Sequence, residues 1–361
     1  MKSAQPNFIV VGLALFSMFF GSGNLIFSLM LGRDAGELFY ISAVGFILSA
    51  VFIPFMGVLA IVKAQGDYYL IFTRFLGHKL GLILIFLTLL FFIPFGAAPR
   101  CVILAHASLK TFVLMPPLWL FSLIFLSIIG YLVINKNNLL SILGKVLTPI
   151  LLVCLVFMVI FALKNGQIDP PLYDAQSLFF NSLFQGYNTQ DLFSSLFFSS
   201  TLIFLIKDNF NNKKQLKSTL LKAGILGSIL LIILYVFLML ASSYHNDILI
   251  GKSGIKLVSI LARQTLGSFG AIASLAVSLA CLTTGVALVL AFKDFLARTF
   301  KINAFVALSI TLMSIFLTSL IKFEGITAII SPIMKVFYPV ILVLVVAFLL
   351  AKHKIYEKSL G

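Results

Sequence analysis

Residues 20–27 read Phe20-Gly21-Ser22-Gly23-Asn24-Leu25-Ile26-Phe27, four small or hydrogen-bonding residues set in the middle of an apolar run over 8–30. Glycine and asparagine are poor helix formers and bring no apolar bulk, so a continuous helix is not expected there. The interruption recurs in a Phe- and Leu-rich run over 178–206, which contains Gln185-Gly186-Tyr187-Asn188-Thr189-Gln190-Asp191. Unwound backbone at membrane depth costs several kcal/mol for each unsatisfied group unless it lines a cavity or meets a ligand. A close helix crossing through small residues would account for Gly21 and Gly23 but not for the second, polar run. Two interrupted helices at matching places in two halves favour a midplane binding site in an inverted repeat.

The rest of the chain fits a membrane setting. Of its 361 residues, 61% are hydrophobic and 10% charged, where a soluble domain carries roughly a quarter charged residues. Apolar runs of spanning length are read at 8–30, 38–60, 80–108, 114–134, 146–163, 178–206, 220–241, 269–292, 302–321 and 326–351. The fold class is therefore all-α integral membrane, about ten transmembrane helices in a five-plus-five inverted repeat with broken first and sixth helices. It forms a single transporter domain over 1–361, with repeats over 1–163 and 178–351. No cleavable signal peptide is expected, because the first run passes straight into the Gly21 motif.

The formal charge of +15 would suggest nucleic acid in a soluble protein. Here the basic residues sit in the short connections. With the N-terminus inside, seventeen fall in cytoplasmic segments, among them Lys2, Lys63, Arg74, Lys136, Lys213, Lys352, Lys354 and Lys358, and seven on the other side. Both termini are then cytoplasmic and the chain is multi-pass in the inner membrane. Cys101, Cys154 and Cys281 all lie in apolar runs and read as small core residues. The connection 242–268 carries apolar residues spaced for a short surface helix, or it is a solvated linker.

Backbone electrostatics suggest the ligand. A half-helix starting near Asn24 points free amides at the cavity, which suits a carboxylate. Carbonyls near Phe19, Phe20, Phe184 and Gln185 suit an ammonium group or metal cation. The substrate-binding candidates are thus Gly21, Ser22, Gly23, Asn24, Phe184, Gln185, Gly186, Tyr187 and Asn188, with Phe91, Phe92 and Phe95 available for an apolar side chain. In the eighth run Ala280, Thr283 and Thr284 share one helix face.

Arg100, Asp191 and Lys335 fall within apolar runs and are gate or coupling candidates. Arg100, about 20 residues into an outward-running span, either snorkels to the interface or pairs with an acid such as Glu324. Asp191 complements a helix start capped by Asn188 or Thr189. Lys335 is expected near mid-depth, paired with Asp191 or standing in for a cation. His78, His245 and His353 are expected to face water, and His106 to make an interfacial hydrogen bond or titrate in proton coupling. His245, Asn246 and Asp247 form the nearest polar cluster to an enzyme site and lack a nucleophile or metal set, so no enzymatic activity is expected.

Together, Phe20-Gly21-Ser22-Gly23-Asn24-Leu25-Ile26-Phe27, Ala98-Pro99-Arg100, Gly186-Tyr187-Asn188-Thr189-Gln190-Asp191 and Ala280-Cys281-Leu282-Thr283-Thr284 resemble the branched-chain amino acid:cation symporter family of BrnQ type. That family is similar in fold to the leucine transporter and belongs to the amino acid-polyamine-organocation superfamily. The resemblance implies import of Leu, Ile and Val by symport with Na+ or H+, without an enzymatic cofactor or nucleic-acid partner. The alternative is a related symporter for another neutral amino acid. It further implies an ion site, possible for Na+, made by carbonyls at Ser17 and Phe20 with Ala280, Thr283 and Thr284, and a second-ion or substrate contact at Asn24. Family members usually have about twelve spans, whereas this chain ends soon after the tenth, and its oligomeric state is left open.

Overall fold

The computed structural model describes residues 6–135, 145–146, 148–164 and 166–351. Lys2, Lys136, Lys352, Lys354, Lys358 and His353 lie outside the described residues. Those described form helices and no strand: α1 Phe8–Phe19, α2 Ser22–Ala35, α3 Phe39–Ile47, α4 Ile53–Lys63, α5 Tyr68–Phe92, α6 Ala98–Lys110, α7 Leu118–Ile134, α8 Thr148–Lys164, α9 Ala175–Asn188, α10 Asp191–Ile206, α11 Lys213–Ser243, α12 Asn246–Leu249, α13 Gly254–Leu266, α14 Gly270–Thr299, α15 Ala304–Ser319 and α16 Phe323–Leu350. Among them six helical stretches are long and apolar enough to cross a membrane: 22–63, 68–110, 175–209, 213–243, 270–299 and 323–350. Four shorter apolar helices accompany these, α1, α7, α8 and α15. The chain is a multi-pass membrane protein.

Two helix groups meet at the centre. In one, α11 lies along both α1 and α2, α9 packs on α3, and α10 on α4. In the other, α14 packs along α6 and is flanked by α7, α8 and α15. Their core is largely aromatic: Phe16 stacks on Phe20, and Phe92 lies among Phe193, Phe197 and Phe198. Phe92 is therefore core, and Phe95 is 42% exposed, so neither is drawn into a common pocket wall with Phe91.

Helix starts follow local chemistry. Asp67 opens α5 by accepting the Tyr69 N–H at 2.9 Å, twelve residues before the apolar run, and Gly77 at φ +73° bends the helix between the two. Asn212 opens α11 ahead of Lys213 and Lys214, so that helix begins in water before it enters the apolar layer. Asp174 opens α9, where the Ser177 hydroxyl and amide hold its exposed carboxyl below the ordinary range. That cap holds above the ordinary carboxyl range and is lost as pH falls through the lowered value.

The connection after α11 contains the short surface helix, α13. Its Leu257, Val258, Leu261 and Ala262 are buried against α2, α6, α8 and α14. His245, expected in water, is instead buried, its Nε2 at 2.9 Å from the Ala162 carbonyl. His106 makes the interfacial type of bond, Nε2 to the Pro116 carbonyl at 2.9 Å. Two of the basic residues read as cytoplasmic lie close together, next to the end of α16. Lys63 Nζ reaches the carbonyls of Phe348, Leu349 and Ala351, and Lys213 reaches Gln65.

Candidate substrate and cation site

The first interruption falls where the sequence places it. α1 ends at Phe19, Phe20 turns away from helical geometry (φ −73°, ψ 89°), and α2 starts at Ser22. Gly21 permits a close approach here: a Cβ on it would lie 3.1 Å from Thr284 Cγ2 and 3.3 Å from its Oγ1. The new helix start leaves its first amides without intrahelical acceptors. One of them, Gly21 N–H, donates to Asn24 Oδ1 at 3.4 Å.

Against this break stands one face of α14. Thr284 Oγ1 is 3.2 Å from both the Ser17 and Phe20 carbonyls, and Thr283 Oγ1 is 3.2 Å from Ser17 and 2.9 Å from Ala280 O. Three carbonyl and two hydroxyl oxygens thus converge from Ser17, Phe20, Ala280, Thr283 and Thr284. A cluster of neutral oxygens buried between an unwound segment and a facing helix is chemistry suited to a hard monovalent cation.

The second interruption lies later than expected. α9 runs unbroken through Phe184, Gln185, Gly186 and Tyr187 to Asn188, so Phe184 and Gln185 lie inside the helix and the break follows them. Phe184 is 49% exposed and turned outwards. Gly186 marks a close crossing: a Cβ there would fall 1.8 Å from Ser49 Oγ. The break itself is made by Thr189 and by Gln190, which takes a left-handed conformation at φ +65° before α10 begins at Asp191. Gln190, not Asn188 or Thr189, occupies the N-cap position. Thr189 Oγ1 bridges the gap, donating to Gly186 O at 2.7 Å and accepting from Asp191 N at 3.4 Å.

Gly186→Ala is accordingly expected to lower thermal stability in detergent by about 1–3 kcal/mol through overpacking. Gly23→Ala is the control, since its methyl would meet nothing nearer than 3.4 Å. Equal melting temperatures for the two variants would refute this reading of Gly186.

Asn24 joins the two breaks. Its Nδ2 donates to Asp191 Oδ2 at 2.5 Å and to the Tyr235 hydroxyl. All three side chains are buried. Tyr235, from α11, was not anticipated. The available signal was a lone hydroxyl inside an apolar run, which needs a partner once buried. On the other side Cys101 donates its thiol to Ser22 Oγ at 3.6 Å, touching the start of α2.

Arg100 neither snorkels nor meets Glu324. It is 2% exposed, with Nε on Gly96 O at 3.1 Å, Nη1 on Asn188 O at 3.1 Å and Nη2 on Gln190 Oε1 at 2.5 Å. The guanidinium therefore covers the end of α9, where carbonyls and the helix dipole present negative charge. Lys335 is not with Asp191 either. Met334 and Tyr338 hold the buried face of α16, which leaves Lys335 on the exposed one. On that buried face Tyr338 donates to Ser49 O at 2.8 Å and stacks on Tyr187.

A family model described as "Branched-chain amino acid transport protein" matches residues 4–360. A protein of Staphylococcus aureus (strain USA300), named as a branched-chain amino acid carrier, is 28% identical over 373 residues, covering 96% of this chain and 83% of its own. A protein of the same kind of name from strain MRSA252 matches to the same extent, 28% over 373 residues. The crystal structure of MhsT in complex with L-phenylalanine superposes with a TM-score of 0.63 at 17% identity, over 96% of this chain and 90% of that one. A Na+-coupled sialic acid symporter in a substrate-bound outward-open state gives 0.53 at 13% identity, over 95% and 76%. These likenesses show a leucine-transporter-type fold.

Proposed function

Because the chain belongs to the branched-chain amino acid transport protein family, and is a secondary transporter rather than an enzyme, we propose that it imports leucine, isoleucine and valine by symport with sodium. The observation that carries this reading is the convergence of the Ser17, Phe20, Ala280, Thr283 and Thr284 oxygens on the first helix break. A cation held there ties the unwound segment to α14, and so fastens the two helix groups together when it binds.

The substrate lies between the breaks. Its carboxylate meets the amides at the start of α2, from Ser22, Gly23 and Asn24, where the dipole is positive. The aliphatic side chain rests on the aromatic wall of Phe20, Tyr235 and Phe46, in which the Tyr235 ring meets both phenylalanines. Such a wall separates one methylene by only about 1–3 kcal/mol, so Leu, Ile and Val are taken alike.

Ten spans in two five-helix repeats, over 1–163 and 178–351, with both termini on the cytoplasmic side of the inner membrane, complete the reading. The clustering of Lys63 and Lys213 at one end supports that orientation. Alternating access then rocks the group carrying the breaks against the group around α14.

The test is counterflow and uptake of labelled leucine in proteoliposomes. An inward sodium gradient is expected to drive accumulation, with unlabelled isoleucine and valine competing. Accumulation without sodium dependence would remove the ion assignment. Stronger competition by another neutral amino acid than by isoleucine and valine would replace the substrate class.

A further inference from the structure

We propose that a cavity beside the connection from α10 to α11 binds a phosphate ester, an anion made of a phosphate group and an organic body. The cavity measures about 630 Å³ and lies between the end of α4, the end of α10 and the first turns of α11. Among the described residues five lysines line it, Lys63, Lys207, Lys213, Lys214 and Lys217, against a single acid, Asp208. None of its lining residues, among those described, comes from α1, α2, α6 or α14, so it is separate from the candidate substrate and cation site.

The positive charge there is unmatched. Among the described residues the ion pairs are Arg33 with Asp34 and Lys293 with Asp294, so no lysine of the cavity is neutralised by contact with a carboxylate. Three of the five meet neutral groups instead. Lys63 Nζ rests on the carbonyls of Phe348, Leu349 and Ala351, Lys213 Nζ is 3.4 Å from Gln65 Oε1, and Lys207 Nζ lies 4.7 Å from the centre of the Phe204 ring. Lys213, Lys214 and Lys217 also crowd the start of α11, three and four residues apart, and no acidic residue occupies its first turn. Like charges at that spacing repel, and cations are unfavourable where the helix dipole is itself positive. An anion in the cavity relieves both. Membrane topology accounts for lysines on one side of the bilayer but not for their convergence on one cavity.

The walls are preformed. Asn212 accepts the Lys214 N–H at 2.8 Å and so fixes the start of α11, and the turn after α4 is pinned by the Ser200 hydroxyl, which donates to Gly66 O. Between the cations the lining is apolar, from Val62, Ile203, Phe210, Leu216 and Leu220. That mixture selects an ester over bare phosphate, with charge on one part of the ligand and carbon on the other, in a space within the about 300–1,000 Å³ of small-molecule sites. Lysines bind the phosphate as compact point charges. A phospholipid headgroup and a soluble phosphate ester share this chemistry. Because α4, α10 and α11 belong to the helix group that carries both breaks, a bound anion braces that group at one end.

The experiment follows the melting temperature of the full chain in neutral detergent at fixed ionic strength. One arm titrates glycerol 3-phosphate, the other phosphatidylglycerol in mixed micelles, with phosphatidylcholine as the lipid blank. The melting temperature of the wild type is expected to rise to a plateau in at least one arm, because a ligand stabilises the state it binds. A rise with phosphatidylglycerol alone assigns the site to a lipid headgroup, and a rise with glycerol 3-phosphate assigns it to the phosphate ester whatever carries it. The protein with both Lys214→Gln and Lys217→Gln should need roughly tenfold or more ligand for the same effect. Lys252→Gln with Lys256→Gln, the same charge change at exposed lysines outside the cavity, should titrate like the wild type. Asp208→Asn removes the one acid of the lining and should tighten binding by roughly two- to fivefold, a gain that misfolding does not produce. Flat curves in both arms, an equal response to phosphatidylcholine, equal weakening by the two lysine pairs, or unchanged or weaker binding by Asp208→Asn overturns the proposal.

Discussion

Leucine uptake by a Thr284→Ala protein is expected to require roughly 10- to 100-fold more sodium for half-maximal rate, while Thr284→Ser stays close to wild type. Among the described residues Thr284 Oγ1 is the one side-chain oxygen hydrogen-bonded at 3.2 Å to both the Ser17 and the Phe20 carbonyls. It therefore touches the unwound segment on both sides of its last helical turn. A ligand to a charged group contributes about 1.5–3 kcal/mol, and each 1.4 kcal/mol is tenfold in affinity. Thr283→Ala should cost less, because Thr283 reaches only Ser17 on α1 and otherwise bonds back to its own helix at Ala280.

A separate effect accompanies the loss of sodium binding. In the sodium-free protein the Thr284 hydroxyl satisfies buried carbonyls, so Thr284→Ala should also lower stability by about 1–3 kcal/mol. The two effects separate by their dependence on salt. Sodium should raise the melting temperature of the wild type and leave that of Thr284→Ala nearly fixed, since a ligand stabilises only the state it binds. Superposable sodium curves for wild type and Thr284→Ala uptake would sink the assignment of this oxygen cluster.

How much of this was legible in the sequence depended on whether the signal was local. The break at Gly21 was legible because Gly21, Ser22, Gly23 and Asn24 are adjacent, and a run of poor helix formers acts through the backbone alone. The oxygens of Thr283 and Thr284 were legible because i, i+3 and i+4 positions share a helix face. The second break was misplaced by several residues. Gly186 looked like a breaker and is a packing glycine, needed by Ser49 across the helix pair. The true break is at Gln190, a residue with ordinary helix propensity whose left-handed conformation is held by a distant arginine. Propensity cannot register a constraint supplied by another helix.

The charged residues divide the same way. Hydropathy gave Arg100 and Lys335 a depth but not a direction around the helix axis, and direction separates a buried fork from an exposed ammonium. α11 began before its apolar run because a helix is free to continue into water, where hydropathy no longer marks it.

Arg100→Met is expected to be the most damaging single change outside the cation site, lowering stability by about 3–5 kcal/mol and leucine uptake by on the order of 100-fold or more. The substitution keeps apolar volume and removes every donor. It leaves Gly96 O and Gln190 Oε1 buried, and Asn188 O part-buried, with those bonds unmade, and the end of α9 loses the positive charge that faces its dipole. Gln190 is then freed from its anchor, and a non-glycine residue in the left-handed region costs about 1–2 kcal/mol that the anchor no longer offsets. Arg100→Lys should fall between the two, since one ammonium cannot serve three acceptors set out for a planar fork. Gln190→Ala should lose part of the same stability, and the double variant Arg100→Met with Gln190→Ala should lose less than the two separate losses combined, as expected for residues that share an interaction. Additive losses in melting experiments would show that the two side chains act independently, and wild-type uptake by Arg100→Met would show that the second helix break holds its shape without the arginine.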